Sequence, residues 1–155
     1  MLNIKEGNNK FNYRVVGVLI DGNKVLMQKR VNDKFWALPG GRGEMMETSI
    51  DTIKREYKEE LNITIDVKRL LWVAENFFNF NDTNVHEISF YYLVSLQKDE
   101  FITKLDQFNG LEEGKDIIFK WFNLSSIKDD PIQPKFLKDE LLNIDESIKH
   151  FIVVE

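Results

Sequence analysis

The chain has 155 residues, a formal net charge of −5 at pH 7 and a mean hydropathy of −0.35. This length suits one domain with a substantial core, and the negative charge gives no electrostatic basis for binding a long nucleic acid. Cysteine is absent, which excludes disulfides, thiolate metal sites and cysteine nucleophiles. The two histidines, His86 and His150, are too few for a histidine-rich metal site and leave a Ser-His-Asp triad little to draw on.

The first residues, MLNIKEGNNK, contain no apolar signal region, and no apolar run in the sequence is long enough to span a membrane. The sequence therefore predicts a cytoplasmic protein without a membrane partner. No repeat, low-complexity stretch or linker divides the chain. One domain is expected over residues 1–155.

The N-terminal third predicts a β-hairpin followed by a helix. Residues 13–20 and 24–30 are rich in aliphatic and β-branched residues, and the turn DGN joins them. The irregular, glycine-rich segment WALPGGRGEMM comes next. A helix is then predicted over 48–61, where Thr48 or Ser49 can cap its first N–H groups.

The rest of the chain predicts three more strands and a second helix. Strand-like runs over about 69–78 and 85–96 flank the polar turn NFNDTN. A short strand is expected over 117–122, and a helix near 134–143 follows it. This succession of elements predicts an α+β fold.

The first predicted helix carries three glutamates, Glu56, Glu59 and Glu60, close together on one side. Because a helix turns about 100° per residue, their side chains fall within an arc of roughly 100°. Two like charges about 4 Å apart repel by about 4 kcal/mol at an effective dielectric constant near 20, so a positive ion is expected among them. Carboxylate oxygens favour Mg²⁺ or Mn²⁺. The alternative is a solvated helix face with i to i+4 ion pairs.

The segment from Gly41 to Ile63, GRGEMMETSIDTIKREYKEELNI, resembles the signature of the Nudix hydrolases. In that signature a glutamate follows the first glycine after five residues, an Arg-Glu pair follows after seven more, and a Glu-Glu pair closes the charged positions. The chain matches all of these positions with Gly41, Glu47, Arg55, Glu56, Glu59 and Glu60. The segments WALPGG and FKWFNL also resemble the family. The long match in register favours a metal site over a solvated helix face.

Two positions depart from the family's signature. Tyr57 stands where an aliphatic residue is usual, and we expect it to pack under the helix in an apolar stripe with Ile50, Ile53 and Leu61. Asn62 stands where glycine is usual, and asparagine is the next choice at a left-handed helix C-cap. Neither departure removes a candidate ligand.

The resemblance implies a mixed β-sheet sandwiched between helices, an α/β/α sandwich. It also implies metal-dependent hydrolysis of a diphosphate bond in a nucleoside diphosphate linked to another group, by direct attack of water at phosphorus. Mg²⁺ or Mn²⁺ is the implied cofactor. The implied metal ligands are Glu56, Glu59, Glu60 and the carbonyl of Gly41, and the implied catalytic residues are Glu56 and Glu59, with Arg55 and Glu47 orienting the cluster.

Members of this family often recruit another glutamate from a loop outside the signature. Glu112 and Glu113, in the loop GLEEGKD, are the candidates, and Glu113 is assigned to the metal site. The alternative is a solvated acidic loop. Glu75, Glu87 and His86 are weaker candidates, since their positions are typical of ordinary strand edges and surfaces.

Three arginines are placed in the sequence to meet substrate phosphates. Arg14 and Arg30 belong to the early hairpin, and Arg42, the preferred one, belongs to the glycine-rich turn. Phe77 is assigned to stacking on the base. The other aromatic candidates near the motifs are Phe35, Trp36, Phe78 and Phe80, and for each the alternative is a place in the core.

The substrate stays open between nucleotide sugars, ADP-ribose and nucleoside triphosphates, because ENFFNFND lacks the proline and the tyrosine that mark some branches of the family. The partner expected is a small-molecule nucleotide, and a homodimer is one expectation because dimers are frequent in the family. A second interpretation is a catalytically silent nucleotide-binding module, although such modules typically lose glutamates that this chain keeps. A third, an RNA-binding or scaffold protein, needs a basic surface with interleaved aromatic residues.

Overall fold

The computed structural model of the protein describes residues 2–155, which form a nine-stranded sheet, two α-helices and two 3₁₀ turns. The strands are β1 (Asn3–Glu6), β2 (Asn9–Asp21), β3 (Lys24–Arg30), β4 (Gly40–Arg42), β5 (Ile65–Phe80), β6 (Thr83–Leu96), β7 (Gln107–Asn109), β8 (Ile117–Asn123) and β9 (Lys149–Val154). The helices are α1 (Ser49–Leu61) and α2 (Leu137–Glu140), and the 3₁₀ turns span Phe101–Lys104 and Leu124–Asp129.

The sheet is mixed, as the resemblance to the Nudix family implies. Its main strand order is β7-β8-β3-β2-β6-β5-β9, and β1 and β4 each pair with β2. Strand β2 runs parallel to β6 and β5 runs parallel to β9, whereas the other pairs are antiparallel. One end of β2, at Ile20 and Asp21, pairs with β3, whereas its middle, at 14–16, pairs with β4. The candidate site lies at the β2–β4 pair.

All five predicted strands are present, and most extend further than predicted. The strand predicted over 24–30 is β3, with the same bounds, whereas the strand predicted over 13–20 is the longer β2. The runs predicted over 69–78 and 85–96 are β5 and β6, and the run over 117–122 is β8. The strands extend beyond the predicted apolar runs because their polar end residues also form backbone hydrogen bonds with the neighbouring strand. These ends have no alternating apolar pattern and could not be recognised in the sequence.

Both predicted turns reverse the chain through left-handed residues. Gly22 has φ 61° in the loop between β2 and β3, and Asn81 and Asp82 have φ 49° and 62° between β5 and β6. Glycine, asparagine and aspartate enter this region of φ at the least cost, which suits two-residue hairpin loops.

The sequence prediction misses four strands and gives the second helix the wrong extent. β1, β4 and β7 have three or four residues each, which is too short for an alternating pattern, and β9 went unrecognised near the C-terminus. Of the helix predicted over 134–143, only Leu137–Glu140 is α-helical. Around it, i to i+3 bonds such as Leu137 N–H to Pro134 C=O (3.2 Å) replace the α-helical pattern. The apolar spacing there reflects burial of Leu137 and Leu141, not a long helix.

Each face of the sheet packs against its own apolar core, which confirms the α/β/α sandwich. On one face α1 contributes Ile53, Tyr57 and Leu61 to a core with Val15, Leu19 and Phe119. On the other face, the segment around α2 contributes its leucines to a core that includes Val16, Trp36, Trp72 and Tyr91. No helix among residues 2–155 is long and apolar enough to cross a membrane.

The two departures in α1 take the places that the sequence predicts for them. Tyr57 is 1% exposed and its hydroxyl approaches the carbonyl of Gly17 at 3.4 Å. Asn62 is the C-cap with φ 54°, and its N–H donates to the carbonyl of Lys58 at 2.9 Å. Ile50 differs from the prediction, since it is 42% exposed and lies outside the buried stripe.

Candidate active site

Strand β4 brings the glycine-rich turn against α1. Gly41 pairs with Val15 of β2, and a Cβ on Gly41 would lie 2.1 Å from Cδ of Glu56. A Cβ on Gly40 would lie 2.2 Å from the carbonyl oxygen of Val15. Both positions exclude any side chain, because a real Cβ essentially never approaches another heavy atom so closely. The carboxylate of Glu56 therefore lies directly over the backbone of β4.

The loop between β4 and α1 ends in a capped helix N-terminus. Met46 has φ 65° and reverses the chain just before Glu47. Thr48 is the N-cap, with its side-chain oxygen accepting from the N–H of Asp51 at 3.1 Å. This cap places Glu47 immediately before the first turn, where its side chain accepts from Thr52 and Arg55 further along the helix.

Arg55 is the cation at the centre of the glutamate cluster. Its Nε donates to Glu47 Oε2 at 2.7 Å, and its Nη1 donates to Glu56 Oε1 at 3.0 Å and Glu59 Oε2 at 3.2 Å. Its Nη2 donates to Glu47 Oε1 and to the carbonyl of Arg42, each at 3.0 Å. The five N–H groups of a guanidinium can thus all be used. Arg55 joins three carboxylates of the signature to the end of β4.

Glu47 anchors this arrangement as the principal partner of Arg55. The hydrogen bond from Arg55 lowers the pKa of the Glu47 carboxyl to about 2, and the hydroxyl of Thr52, which donates to Glu47 at 2.6 Å, acts in the same direction. Thr52 is fully buried, and the sequence analysis did not single it out. Its position one turn beyond the cap could have indicated that it faces Glu47.

Replacing Glu47 with Gln is expected to lower the free energy of unfolding at neutral pH, and to have a smaller effect in acid. The folded-state pKa lies below the ordinary value of 4.5, so the stabilisation is full above about pH 4.5 and is lost as the pH falls toward 2. The expected stability gap between wild type and Glu47→Gln is about 3 kcal/mol at pH 7 and shrinks to about 1 kcal/mol at pH 3.

Urea unfolding at the two pH values measures this gap, with Glu44→Gln, an exposed neighbour in the same loop, as the matched control. A gap that stays constant between pH 7 and pH 3 would show that Glu47 does not carry the acid dependence.

The three signature glutamates of α1 differ in exposure. Glu56 and Glu60 are 6% and 5% exposed, whereas the side chain of Glu59 is 43% exposed. Burial raises the pKa of Glu56, and the charge and hydrogen bond of Arg55 oppose this rise. Glu56 therefore combines burial with a direct contact to Arg55, while Glu59 faces solvent.

A second cation, Lys115, lies at the C-terminal end of the cluster. Its Nζ lies 3.3 Å from Glu60 Oε1 and 3.1 Å from Glu112 Oε2, and the N–H of Leu111 donates to the carbonyl of Glu60 at 2.8 Å. Burial and the neighbouring Glu112 raise the pKa of Glu60, against the charge of Lys115. The other oxygen of Glu60, Oε2, is buried without a hydrogen-bond partner among residues 2–155. The sequence analysis did not identify Lys115, although it is the one basic residue in the loop GLEEGKD.

The structure distinguishes the two acidic residues of that loop. Glu112 is the one that contacts Lys115 beside Glu60, whereas Glu113, which the sequence analysis assigned to the metal site, is exposed. The loop is held to α1 by the hydrogen bond from the N–H of Leu111 to the carbonyl of Glu60, next to Glu112. Glu112 thus replaces Glu113 as the loop residue that lies at the cluster.

Five carboxylates and two cations form this cluster, so negative charges outnumber positive ones by three. Within the described part of the chain, no group of three or more His, Cys, Asp or Glu residues is arranged as ligands around one point. The carboxylates instead divide between Arg55 and Lys115. The donor set is nevertheless made of hard oxygen atoms, and Glu60 Oε2 is a buried acceptor to which no group among residues 2–155 donates.

The arginines proposed for phosphate binding belong to strands that adjoin the cluster. Arg14 and Arg42 are directly paired between β2 and β4, on the opposite face of the sheet from Glu56. Arg30 ends β3 opposite Ile117, and Val31 donates to Asp116 in the loop that carries Lys115. The sheet thus separates the side chains of Arg14 and Arg42 from Glu56, and Arg30 is next to the residue that bonds to the Lys115 loop.

The other candidates from the sequence analysis lie in different surroundings. Phe77 stacks on His86 with ring centroids 4.4 Å apart, and Trp36 is buried in the core. Glu75 lies 2.7 Å from His150, and Glu87 accepts from Ser89 and Asn12. Phe35 and Phe80 are exposed and Phe78 is half-buried. Among residues 2–155, no hydrogen bond or ion pair joins these residues to the five glutamates of the cluster.

Comparison with known proteins gives consistent matches. The family model described as NUDIX domain matches residues 10–139. An ADP-ribose pyrophosphatase of Methanocaldococcus jannaschii is 36% identical over 85 residues, which are 53% of this chain and 49% of that protein, so the match spans about half of the relative. The uncharacterised Nudix hydrolase YvcI of Bacillus subtilis is 28% identical over 76% of this chain and 69% of its own. A crystal structure of a NUDIX hydrolase from Nitrosomonas europaea, 21% identical, covers 93% of this chain and 79% of its own with a TM-score of 0.62, which shows the shared fold.

Proposed function

This chain belongs to the Nudix family of hydrolases, and from that premise we propose that it hydrolyses the diphosphate linkage of a nucleoside diphosphate bound to another group, with a divalent metal as cofactor. The observation that carries the proposal is the cluster around Arg55. One guanidinium holds Glu47, Glu56 and Glu59 beside Gly41, and Glu60 lies one helical turn on, with its Oε2 buried and without a hydrogen-bond partner in the described part of the chain.

The residues of the cluster fit a hard divalent cation. Glu56, Glu59 and Glu60, with the carbonyl of Gly41, would hold Mg²⁺ or Mn²⁺, since these ions prefer carboxylate and carbonyl oxygens. When bound, such an ion supplies neutralisation of phosphate charge and a more acidic water. The excess of negative charge in the cluster supports this assignment, because carboxylates would repel a substrate phosphate unless a cation lay between them.

The chain's own residues then have separate parts in the reaction. Glu56 is the proposed acceptor of the proton from the attacking water, because Arg55 keeps it oriented beside the backbone of Gly41. Arg55 and Glu47 are positioning residues that hold the carboxylates at the end of β4. Arg14, Arg42 and Arg30 are proposed to bind phosphate oxygens of the substrate.

The substrate class follows from charge and from the relatives. Two arginines paired side by side on β2 and β4 suit a diphosphate. One relative is named an ADP-ribose pyrophosphatase, so ADP-ribose and nucleotide sugars stand first in the order of substrates to test. The cytoplasmic location, the single-domain organisation and a homodimeric state stay predictions.

A product-mapping screen tests the proposed function. Purified protein is incubated with ADP-ribose, nucleotide sugars, dinucleoside polyphosphates and nucleoside triphosphates, in Mg²⁺, in Mn²⁺ and in EDTA. We expect cleavage of the diphosphate linkage of one class, in the presence of metal alone. No cleavage across the panel, with one nucleotide still bound, would contradict the proposed hydrolase and support a nucleotide-binding module.

The two acidic loop residues give a direct comparison of neighbours. Glu112→Gln is expected to raise the Mg²⁺ concentration needed for half-maximal rate by about tenfold, because Lys115 would then pair with Glu60 alone and compete with the metal for it. Glu113→Gln should leave this concentration unchanged. The measurement is the Mg²⁺ concentration that gives half-maximal rate. An effect of Glu113→Gln with none of Glu112→Gln would restore the original assignment of Glu113.

A further inference from the structure

Lys115 lies between two carboxylates at the C-terminal end of the glutamate cluster. Its Nζ donates to Oε1 of Glu60 at 3.3 Å and lies 3.1 Å from Oε2 of Glu112. Although the second distance is that of an ion pair, Oε2 of Glu112 accepts no hydrogen bond from any of residues 2–155. An ammonium group has three N–H donors, so it can serve either carboxylate. Glu60 is therefore the hydrogen-bond partner of Lys115, and Glu112 is a second acceptor within its reach.

The loop that carries Lys115 is held at its backbone, whereas its charged side chains remain accessible. The N–H of Leu111 donates to the carbonyl of Glu60 at 2.8 Å, which ties the loop to α1. The side chains of Lys115 and Glu112 are 36% and 31% exposed, against 7% for Glu60. The ammonium of lysine sits on a flexible four-carbon stem. Lys115 can therefore change its partner without a movement of the loop backbone.

Lys115 and a divalent ion would compete for the same oxygen of Glu60. Oε2 of Glu60 is buried, so Oε1, the oxygen to which Lys115 donates, is the one left for an ion. Two cations held at one carboxylate oxygen repel each other. An ion on Glu60 therefore requires Lys115 to leave, and Glu112 lies where it can accept the displaced ammonium.

We propose that Lys115 moves from Glu60 to Glu112 when a divalent ion binds, so that Glu112 is a positioning residue that acts on the metal centre through Lys115. This inference rests on the proposed function, since it takes Glu60 as a metal ligand. It gives Glu112 a part other than that of a ligand, because the carboxylate removes a competing cation from Glu60. Without Glu112, Lys115 has Glu60 as its one remaining carboxylate partner.

A double-mutant cycle on Mn²⁺ affinity tests the inference without substrate. Mn²⁺ is titrated into the wild type, Glu112→Gln, Lys115→Met and the double variant, and the free ion is measured by electron paramagnetic resonance. We expect Glu112→Gln to weaken binding by about tenfold and Lys115→Met to tighten it by about tenfold. In the Lys115→Met background, Glu112→Gln should weaken binding by only about threefold or less, because no ammonium remains for Glu112 to accept.

Further variants separate this effect from general charge and from folding. Lys58→Met removes an exposed cation from the last turn of the same helix and should bind Mn²⁺ within about threefold of the wild type. Melting temperatures in EDTA report folding, and Mn²⁺ should raise that of Lys115→Met by more than that of the wild type. If Lys115→Met does not fold, Lys115→Gln takes its place in the cycle, since glutamine keeps an N–H donor without the charge.

The inference is overturned if Glu112→Gln weakens Mn²⁺ equally in both backgrounds, which would make Glu112 a ligand in its own right. It is also overturned if Lys115→Met leaves Mn²⁺ affinity unchanged and lowers the melting temperature alike with and without metal, as a purely structural tether would. Either result keeps the proposed metal centre, because the wild type still binds Mn²⁺. Absence of Mn²⁺ binding in the wild type and in Lys115→Met would instead contradict the metal centre itself, and the inference with it.

Discussion

Replacing Glu59 with Gln is expected to lower kcat for metal-dependent hydrolysis by about 10²–10⁴, with little effect on folding. Glu59 is the exposed member of the α1 glutamates, and its described contact is an i to i+4 ion pair with Arg55 at 3.2 Å. Such a pair contributes about 0.3–0.5 kcal/mol, so its loss leaves the fold intact. Glutamine keeps the shape of the side chain but removes the charge that we propose for metal binding.

The measurement combines steady-state kinetics with the melting temperature. Asp51→Asn is the matched control, since Asp51 is an exposed acid in the first turn of the same helix and lies outside the cluster. A Glu59→Gln protein that turns over within about threefold of wild type at every metal concentration would remove Glu59 from the proposed site.

Replacing Arg55 with Lys is expected to cost the folded protein about 2–4 kcal/mol, because lysine keeps the charge but cannot reproduce the five hydrogen bonds to Glu47, Glu56, Glu59 and the carbonyl of Arg42. The side chain of Arg55 is 23% exposed, so solvent screens only part of the loss. For a chain of this size, that cost corresponds to a fall in melting temperature of about 5–15 °C.

The same variant should respond more strongly to metal than the wild type. With the guanidinium gone, carboxylates that it paired repel one another, and Mg²⁺ bound only to the folded state offsets that repulsion. Melting temperatures in EDTA and in millimolar Mg²⁺ measure both effects. Arg69→Lys is the control, since Arg69 donates to the carbonyl oxygens of Leu70 and Asp145 and is not part of the cluster around Arg55. Equal melting temperatures for Arg55→Lys and the wild type would contradict the central part assigned to Arg55.

The helix of the candidate site was predictable because its information is local. Thr48, Tyr57 and Asn62 each act within one helix and its ends, and cap chemistry and the 3.6-residue period are enough to place them. The contact between Glu47 and Arg55 is likewise local, since the two residues are only eight positions apart in the chain. Patterns of this kind hold without knowledge of the rest of the fold.

Features that depend on long-range pairing could not be predicted. Lys115 reaches Glu60 across 55 residues of sequence, and Asn12 meets Glu87 across 75. Which of Glu112 and Glu113 faces the cluster depends on one backbone bond between a loop and α1. Strand β9 is recognisable as a strand only once β5 offers it a parallel edge.

The second helix shows how burial can imitate a helical period. Leu137 and Leu141 are spaced as on a helix and both are buried, yet the chain around them forms mostly 3₁₀ turns. The core on this face of the sheet needs apolar side chains at these points, and several backbone paths can provide them. Apolar spacing alone therefore overestimates the length of a helix next to a proline such as Pro134.

The most direct measurement is the rate of hydrolysis of the substrate that the screen identifies, followed as Mg²⁺ is added back to protein stripped with EDTA, for the wild type and for Glu59→Gln. If the carboxylate cluster on α1 is the metal-dependent centre, the wild type has no activity in EDTA and recovers it saturably, while Glu59→Gln stays inactive at metal concentrations that saturate the wild type. Equal activity with and without metal, or full recovery in Glu59→Gln, would contradict the assignment of this cluster as the catalytic site.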